Sequence, residues 1–388
     1  MSALPPLALY VHVPWCVRKC PYCDFNSHGV GYGADLPEDA YLQALLADLD
    51  ADLPLAAGRQ LVSIFIGGGT PSLMSADFYR RFIAELRLRL PLAEDIEITL
   101  EANPGTVEHD RFEGYREAGI NRLSLGIQSF QSSQLTALGR IHSGNDAKRA
   151  FQQARDAGFD NINLDLMHGL PGQDPVLAED DLQQALALGP EHLSWYQLTL
   201  EPNTEFHSHP PALPEEETLW NIQDKGHARL EAAGFQRYEI SAYSRPGREA
   251  RHNLNYWTFG DYLGIGAGAH GKLSRPGEDG LDIERRWKSR QPEAYLRRLN
   301  DPRGFVAGHQ RIPEHDLVLE FAMNALRLVD GVPMDTWGRH TGRSLERLEG
   351  SLEEARKKGL LVEDPSHLRA SAQGLLFLND LLAMVSDD

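Results

Sequence analysis

The chain of 388 residues has a globular composition, with 41% hydrophobic and 24% charged residues and a formal net charge of −18. This charge argues against nucleic acid as the main partner and against a polybasic contact with anionic lipid, because both need clustered lysine and arginine. No stretch approaches the roughly 20 apolar residues of a membrane span, and residues 1–6 show no signal-peptide pattern. We therefore expect a cytoplasmic protein without membrane insertion, long enough for one large and one small domain.

The first 235 residues alternate between strand and helix patterns. Apolar runs of strand length are each followed by a stretch with helical spacing of apolar residues, six times over. The predicted strands span residues 7–13, 61–66, 95–100, 123–127, 161–167 and 193–200, and the predicted helices span residues 38–49, 106–118, 145–157, 176–188 and 215–233, with one more helix capped by Ser75. This alternation predicts a parallel sheet, either a partial β/α barrel or an open doubly wound sheet.

Polar and cysteine residues at the strand ends favour the barrel. Cys16, Thr70, Glu101 and Gln128 come just after four successive strands, and Asp165 lies near the end of a fifth. In a barrel these ends converge on one face and build one site, whereas an open sheet would splay them apart. The predicted fold is therefore an α/β, TIM-like partial (β/α)6 barrel over residues 1–235.

From residue 236 the alternation stops, and the pattern predicts two further regions. Residues 236–300 are expected to extend the sheet, and residues 301–388 to form a small, mostly helical, winged-helix-like domain, with the polar stretch 291–313 as linker. The extra strands are predicted at residues 237–244, 262–267 and 282–290, and the small domain has predicted helices at 314–328, 332–340, 344–358 and 373–385 and a strand at 360–363. Because this domain lacks a dense basic helix, we expect a docking or lid role rather than DNA binding.

All three cysteines of the sequence lie in a C-x3-C-x2-C run after the first strand, at Cys16, Cys20 and Cys23. Three thiolates on one short loop suit a 4Fe–4S cluster. With no fourth cysteine, one iron would stay open to a small chelating ligand. The alternatives are a zinc site completed by His12 or His28, a disulfide with one cysteine left over, and three buried thiols.

Two glycine-rich motifs have different interpretations. Gly67-Gly68-Gly69 follows a predicted strand, so its backbone could approach a ligand closely, although an ordinary tight turn is the alternative. Residues 266–271 match G-x-G-x-x-G, but no helical pattern follows them, so a dinucleotide site is not predicted.

The sequence His252-Asn253-Leu254-Asn255-Tyr256-Trp257 combines a histidine, two amides and two aromatic rings. Such a group could supply a haem axial ligand with aromatic rings against the macrocycle. The alternative is a loop histidine that is hydrogen-bonded to its neighbours.

The cysteine motif resembles the signature of the radical S-adenosylmethionine (radical SAM) superfamily. From Leu9 to the C-terminal domain the chain is similar to the family of oxygen-independent coproporphyrinogen III oxidases. The resemblance implies a 4Fe–4S cluster on the three cysteines that reduces the sulfonium of S-adenosylmethionine. It implies that the cofactor is bound by Tyr10, Gly67, Gly68, Gly69, Thr70, Glu101, Gln128, Arg140 and Asp165. A zwitterion with a ribose suits these groups, with Arg140 as partner of the carboxylate, and Tyr22 is expected to stack on the adenine.

Two features resemble the haem-chaperone branch of this family. H-N-x-x-Y-W marks that branch. Phe25 stands where the coproporphyrinogen III oxidases, which are also called dehydrogenases, carry a further cysteine. The resemblance then implies haem bound by His252, delivery to membrane-bound respiratory haem proteins, a homodimer, and peripheral membrane contact through partners. The alternatives are oxidative decarboxylation of coproporphyrinogen III to protoporphyrinogen IX, which Phe25 disfavours, and a radical enzyme that modifies haem.

Overall fold

The structure is a computed structural model, and it describes residues 4–106 and 109–385. The strands are β1 (Leu7–Val13), β2 (Trp15–Cys16), β3 (His28–Gly29), β4 (Leu61–Gly68), β5 (Leu92–Ala102), β6 (Arg122–Gln128), β7 (Ile162–His168), β8 (His192–Gln197), β9 (Gln236–Glu239), β10 (Ala242–Ser244), β11 (Asp261–Ile265), β12 (His270–Gly277), β13 (Gly280–Lys288), β14 (Val306–Arg311), β15 (Val332–Pro333) and β16 (His367–Leu368). The helices are α1 (Glu38–Ala56), α2 (Ala76–Arg89), α3 (His109–Glu117), α4 (Ser132–Ala137), α5 (Gly144–Asp156), α6 (Pro175–Leu188), α7 (Glu205–Ser208), α8 (Glu216–Ala232), α9 (Arg251–Trp257), α10 (Pro292–Arg297), α11 (Leu317–Ala325), α12 (Asp335–Thr341), α13 (Leu345–Lys357), α14 (Ala372–Leu376) and α15 (Leu378–Ala383).

Six parallel strands form the centre of a twelve-stranded sheet. They lie in the order β1-β4-β5-β6-β7-β8, so each strand pairs with the one before it and the order never reverses. A doubly wound sheet would reverse its order at a switch point. The sheet keeps two open edges, at β14 and β9. The prediction of an α/β partial (β/α)6 barrel is therefore confirmed.

The helices of the barrel begin where short polar side chains cap them. The Ser75 hydroxyl accepts a hydrogen bond from the Phe78 amide at 3.1 Å, as predicted for the start of α2. Ser143 and Asp146 form a reciprocal capping box at the start of α5. The helix predicted over residues 106–118 is observed as His109–Glu117, and residues 107–108 of that prediction lie outside the described residues.

The extra strands extend both edges of the barrel sheet. β11 pairs in parallel with β1 and leads to the antiparallel strands β12, β13 and β14, while β10 and β9 follow β8 at the opposite edge. The expected linker at 291–313 is wrong, because it contains α10 and the edge strand β14. Most of β14 is exposed and polar, which gives it the composition of a linker. β12 was not predicted, although its position after Gly266–Gly268 agrees with the absence of a helix there.

The C-terminal helices form a second core, around Phe321, Trp337, Leu348 and Leu352. This core includes Phe259, which precedes β11 and whose ring lies 5.5 Å from that of Phe321. The strand predicted at 360–363 is only an isolated bridge, and the predicted final helix is divided into α14 and α15. Among the described residues, no helix is long and apolar enough to cross a membrane.

Candidate cofactor site

A cavity of about 540 Å³ lies inside the barrel and reaches the carboxyl ends of the parallel strands. Pockets of this size commonly hold one small organic ligand. Eleven of the fourteen predicted site residues line it: Cys16, Cys20, Tyr22, Cys23, Gly68, Gly69, Thr70, Glu101, Gln128, Arg140 and Asp165. The remaining three, Tyr10, Gly67 and His252, do not. The structure therefore brings most of the predicted site together.

The three cysteines are free thiols on the loop after β1, and all three face the cavity. The Thr70 hydroxyl donates to Cys16 Sγ at 3.3 Å, and Arg140 Nη1 lies 3.7 Å from Cys20 Sγ. Burial raises the pKa of the Cys16 and Cys23 thiols. Because iron binds thiolates, loading of a cluster would release protons from this loop.

Neither predicted fourth zinc ligand lines the cavity. Both ring nitrogens of His12 are engaged, with the Tyr10 hydroxyl and the Asn26 carbonyl, each at 2.9 Å. Burial lowers the pKa of His12 to about 4. Among the described residues, no three His, Cys, Asp or Glu side chains form a site for a single metal ion. A cubane does not need one, since each thiolate binds a different iron.

The glycine-rich segment after β4 fastens the cysteine loop to the barrel. The amides of Gly69 and Thr70 donate to the carbonyls of Val13 and Trp15, each at 2.7 Å. A Cβ on Gly69 would lie 2.5 Å from the Trp15 carbonyl oxygen, so only glycine permits this approach. Gly68 has φ +115° and donates to Glu101 Oε2 at 3.1 Å. The amides of Gly68, Gly69 and Thr70 are therefore already bonded within the protein.

Gly67 is the last inward-facing position of β4 and is covered by neighbouring side chains. A Cβ there would lie 2.8 Å from the Phe65 ring and 3.0 Å from Glu101 Oε2. Its role in this structure is to leave room for these two side chains at the cavity wall.

Two carboxyl groups, those of Glu101 and Asp165, line the cavity. Burial, and then the charge of Asp165, raise the pKa of Glu101 to about 8. Burial also raises the pKa of Asp165, opposed by hydrogen bonds from Ser124 Oγ at 2.7 Å and Asn163 Nδ2 at 2.9 Å. A cationic ligand between them would favour their ionised forms.

Gln128 and Arg140 have buried polar atoms without partners among the described residues. Gln128 Oε1 and Arg140 Nε are both buried and unbonded, while Arg140 Nη2 donates to the Gly126 carbonyl at 2.7 Å. Gln128, the last residue of β6, also has φ +64°, in the left-handed region. Buried polar groups normally have partners. An amino-acid zwitterion bound at the cysteine loop fits these open positions, so the residues present fit the cluster and S-adenosylmethionine.

The two tyrosines of the predicted site occupy different positions. Tyr22 lines the cavity between Cys20 and Cys23, with its ring 6.4 Å from that of Phe206. Tyr10 lies below the site, bonded to His12 and stacked on Phe65. Tyr22 is thus placed to contact a ligand directly, whereas Tyr10 supports the wall beneath it.

His252 lies on α9, a helix that crosses the inner face of the sheet. Its side chain is buried, its Nδ1 lies 3.1 Å from Ser63 Oγ, and its ring is 5.2 Å from that of Phe65. Asn253 and Trp257 of the same helix line the cavity, while His252 faces β4. The H-N-x-x-Y-W motif therefore closes the inner end of the barrel and is helical rather than a loop.

Apart from Gln128 and Asp165, the residues of β6, β7 and β8 that line the cavity were not predicted from the sequence. Alternate positions of three strands line the cavity: Arg122, Ser124, Gly126 and Gln128 on β6, Asn163 and Asp165 on β7, and His192, Ser194 and Tyr196 on β8. Because strand residues alternate between faces, the period-two polar pattern of R-L-S-L-G-I-Q could have identified them.

Asn26, also not predicted, fastens the far end of the cysteine loop to the extended sheet. Its Nδ2 donates to the carbonyls of Ala267 at 2.9 Å and Arg290 at 2.8 Å. A Cβ on Gly268 would lie 2.2 Å from the same Nδ2, so this glycine leaves room for the asparagine. The rejected G-x-G-x-x-G segment therefore has a structural role next to the cysteine loop.

Comparisons with known proteins cover the whole architecture. The family model of the Radical SAM superfamily matches residues 10–185, and that of the HemN C-terminal domain matches residues 312–377. Among solved structures, coproporphyrinogen III oxidase (HemN) from Escherichia coli has a TM-score of 0.81 and covers 99% of this chain and 90% of its own, at 23% identity. This likeness extends to the fold alone.

Curated relatives match over nearly their full length. "Heme chaperone HemW" of Escherichia coli (strain K12) is 50% identical over 384 residues, 99% of either chain. "Heme chaperone HemW" of Bacillus subtilis (strain 168) is 34% identical, covering 96% of this chain and 97% of that protein. The mitochondrial "Radical S-adenosyl methionine domain-containing protein 1" of Bos taurus is 35% identical, covering 97% and 86%.

Proposed function

This chain belongs to the radical SAM superfamily and, within it, to the family of the heme chaperone HemW, and on that premise we propose that it binds haem and delivers it to membrane-bound respiratory haem proteins. The observation that carries the proposal is the 50% identity over 384 residues, which spans the barrel, α9 and the C-terminal domain. Phe25 supports it, because it stands at the cavity mouth, 59% exposed, where the resembling dehydrogenases carry a cysteine.

We propose that Cys16, Cys20 and Cys23 hold a 4Fe–4S cluster and that S-adenosylmethionine binds at its open iron. When bound, the cluster supplies the electron that reduces the sulfonium. Arg140 has an unbonded Nε and suits the cofactor's carboxylate. Glu101 suits its ammonium group, since a neighbouring cation would lower the raised pKa of this carboxyl.

Other residues would bind the ribose and the adenine of S-adenosylmethionine. Asp165 is held in place by Ser124 and Asn163 and suits a ribose hydroxyl, and Gln128 offers an open amide oxygen beside it. Tyr22 presents its ring for stacking on the adenine.

His252 is the proposed haem ligand. Burial and the charge of Arg122 lower its pKa to about 3, so the imidazole is neutral at pH 7 and keeps a lone pair for iron. Because the side chain is only 5% exposed and bonds to Ser63, ligation requires α9 to move away from β4. Haem binding should therefore change the fluorescence of Trp257 on the same helix.

Haem titration of the anaerobically purified protein tests the proposal. We expect a stoichiometric Soret band that weakens in His252→Ala. His168→Ala is the matched control, because His168 is equally buried but lies outside α9. An unchanged spectrum of His252→Ala would remove the ligand assignment, and wild-type protein without a Soret band would contradict the haem-chaperone function.

Iron analysis and a decarboxylation assay separate the remaining alternatives. We expect about four irons per chain, lost in Cys20→Ser. Incubation with coproporphyrinogen III, a reductant and S-adenosylmethionine should give no protoporphyrinogen IX. Formation of protoporphyrinogen IX would favour the decarboxylase function over the haem-chaperone function.

Location and assembly complete the proposal. We place the protein in the cytoplasm, where it would meet the membrane peripherally through its haem acceptors, and we take a homodimer as its working state. Sedimentation of the haem-loaded protein at twice the monomer mass of 43.3 kDa tests the dimer.

A further inference from the structure

The closed end of the cavity contains a buried guanidinium without a hydrogen-bond partner. Arg122 is the first residue of β6, its side chain is 2% exposed, and it lines the cavity. Within residues 4–106 and 109–385 its guanidinium forms no hydrogen bond, and Nε is fully buried. Its closest carboxylate contact is Glu97 Oε2, 4.0 Å from Nε and beyond hydrogen-bond distance.

This position is distant from the residues proposed for the cluster and S-adenosylmethionine. Arg122 and Gln128 lie at opposite ends of β6, and the alternate residues between them also line the cavity. At about 3.3 Å per residue, six residues separate the two ends by about 20 Å. The closed end is therefore a second region of the same cavity, with α9 as its floor.

Two more unpartnered donors line the cavity. Trp257 Nε1 and Arg327 Nε are buried without partners among the described residues, and both side chains line the cavity. The Arg327 guanidinium lies 4.4 Å over the Trp257 ring, and its Nη2 bonds Glu239 at 3.2 Å. All three open groups are hydrogen-bond donors, so an acceptor with negative charge is the complementary ligand.

Each neighbouring carboxylate already accepts a hydrogen bond from another residue. Glu97 Oε1 accepts from the Arg251 amide at 2.9 Å, at the start of α9, and Asp165 accepts from Ser124 and Asn163. Glu239 pairs with Arg327. Arg122 thus remains the cation in this region that lacks a hydrogen-bonded partner.

We propose that the closed end of the cavity is a carboxylate-binding subsite centred on Arg122. A buried guanidinium without a hydrogen-bond acceptor is costly, and a carboxylate matches its planar, two-pronged geometry. Trp257 and Arg327 line the same cavity and offer two further donors. The carboxylate has two possible sources: a propionate of haem, which rests on the proposed function, or a small free carboxylate, which does not.

Two titrations of the anaerobically purified full-length protein test the subsite. The first compares haem with haem dimethyl ester, in which both propionates are neutral, by Soret absorbance. The second measures the melting temperature with and without succinate. Each uses wild type, Arg122→Gln, Arg122→Lys and the control Arg286→Gln, a half-buried arginine that pairs with Asp52 outside the cavity.

If haem supplies the carboxylate, wild type should bind haem on the order of tenfold more tightly than the ester, because hydrogen bonds to charged groups are worth at least that factor. Arg122→Gln should lose this preference, while Arg122→Lys keeps part of it and Arg286→Gln keeps all of it. If the ligand is a small carboxylate, succinate should raise the melting temperature of wild type but not of Arg122→Gln.

The subsite is overturned if wild type binds haem and its ester equally and succinate does not stabilise it. This comparison needs no variant, so it holds even if Arg122→Gln fails to fold. Wild type that binds neither porphyrin would overturn the proposed function, and the succinate titration would still decide the subsite.

Discussion

Glu101→Gln tests whether a carboxyl group is held partly protonated inside the barrel. Burial and the charge of Asp165 raise the pKa of Glu101 from 4.5 to about 8 in the folded protein. The folded state therefore binds more protons than the unfolded state between these two pH values. Since stability falls with pH wherever the folded state binds more protons, Glu101 makes the ligand-free protein less stable as the pH rises from 4.5 to 8.

The size of this effect follows from the position of the side chain. One pKa unit corresponds to about 1.4 kcal/mol, so the full displacement sets a ceiling of about 5 kcal/mol. Glu101 is only half-buried and faces the cavity, so water reduces the expected loss between pH 5 and pH 8 to about 2 kcal/mol. Glutamine can still accept from the Gly68 amide, so its loop should keep its structure.

Urea unfolding of the cluster-free protein at pH 5 and pH 8 measures the difference. Between pH 5 and pH 8 the free energy of unfolding of wild type should fall by about 2 kcal/mol more than that of Glu101→Gln. Asp181→Asn is the control: burial raises the pKa of Asp181 to about 6, so this variant should remove only pH dependence below about that value. If wild type and Glu101→Gln lose stability in parallel, Glu101 is ionised throughout this pH range and its pKa is not raised in the folded protein.

Two further substitutions test how the cysteine loop is held in place, and a third serves as their control. Asn26→Ala removes two hydrogen bonds to the Ala267 and Arg290 carbonyls and should lower the free energy of unfolding by about 1–3 kcal/mol and the iron content per chain; unchanged iron would contradict a role in the loop. Gly268→Ala places a Cβ 2.2 Å from Asn26 Nδ2, and it should likewise lower the iron content per chain. Ser143→Ala removes a helix cap that bonds Asp146 and not the cysteine loop, and it should lower the free energy of unfolding by about 1 kcal/mol without loss of iron.

The barrel was predictable because its strands are rich in apolar residues, its helices have helical apolar spacing, and strands and helices alternate in a regular order. β1 has the predicted bounds of 7–13, since both of its faces are covered by other elements. β14 was missed for the opposite reason. It is an exposed edge strand, and its polar residues are compatible with either a strand or a linker. Only pairing with β13, which depends on tertiary structure, makes it a strand.

The residues at the mouth of the site were predictable from motifs, but those deeper in the barrel were not. Cysteine spacing and strand-end positions identified groups such as Cys16, Glu101 and Gln128, because parallel strands end on one face. Arg122 stands at the start of a strand, where a basic residue usually faces solvent. The burial of His252 depends on how α9 crosses the sheet, and no local pattern specifies that crossing.

The position of β1 has a consequence for synthesis of the chain. β1 lies between β4 and β11, and Asn26 bonds to the carbonyls of Ala267 and Arg290. The loop that follows the first strand thus reaches its final form only after about three quarters of the polypeptide has left the ribosome. At roughly 5–20 residues per second, this leaves an interval of about 13–50 s in which the nascent thiols are exposed to oxidants. Insertion of iron and sulfide is accordingly expected to follow translation rather than accompany it.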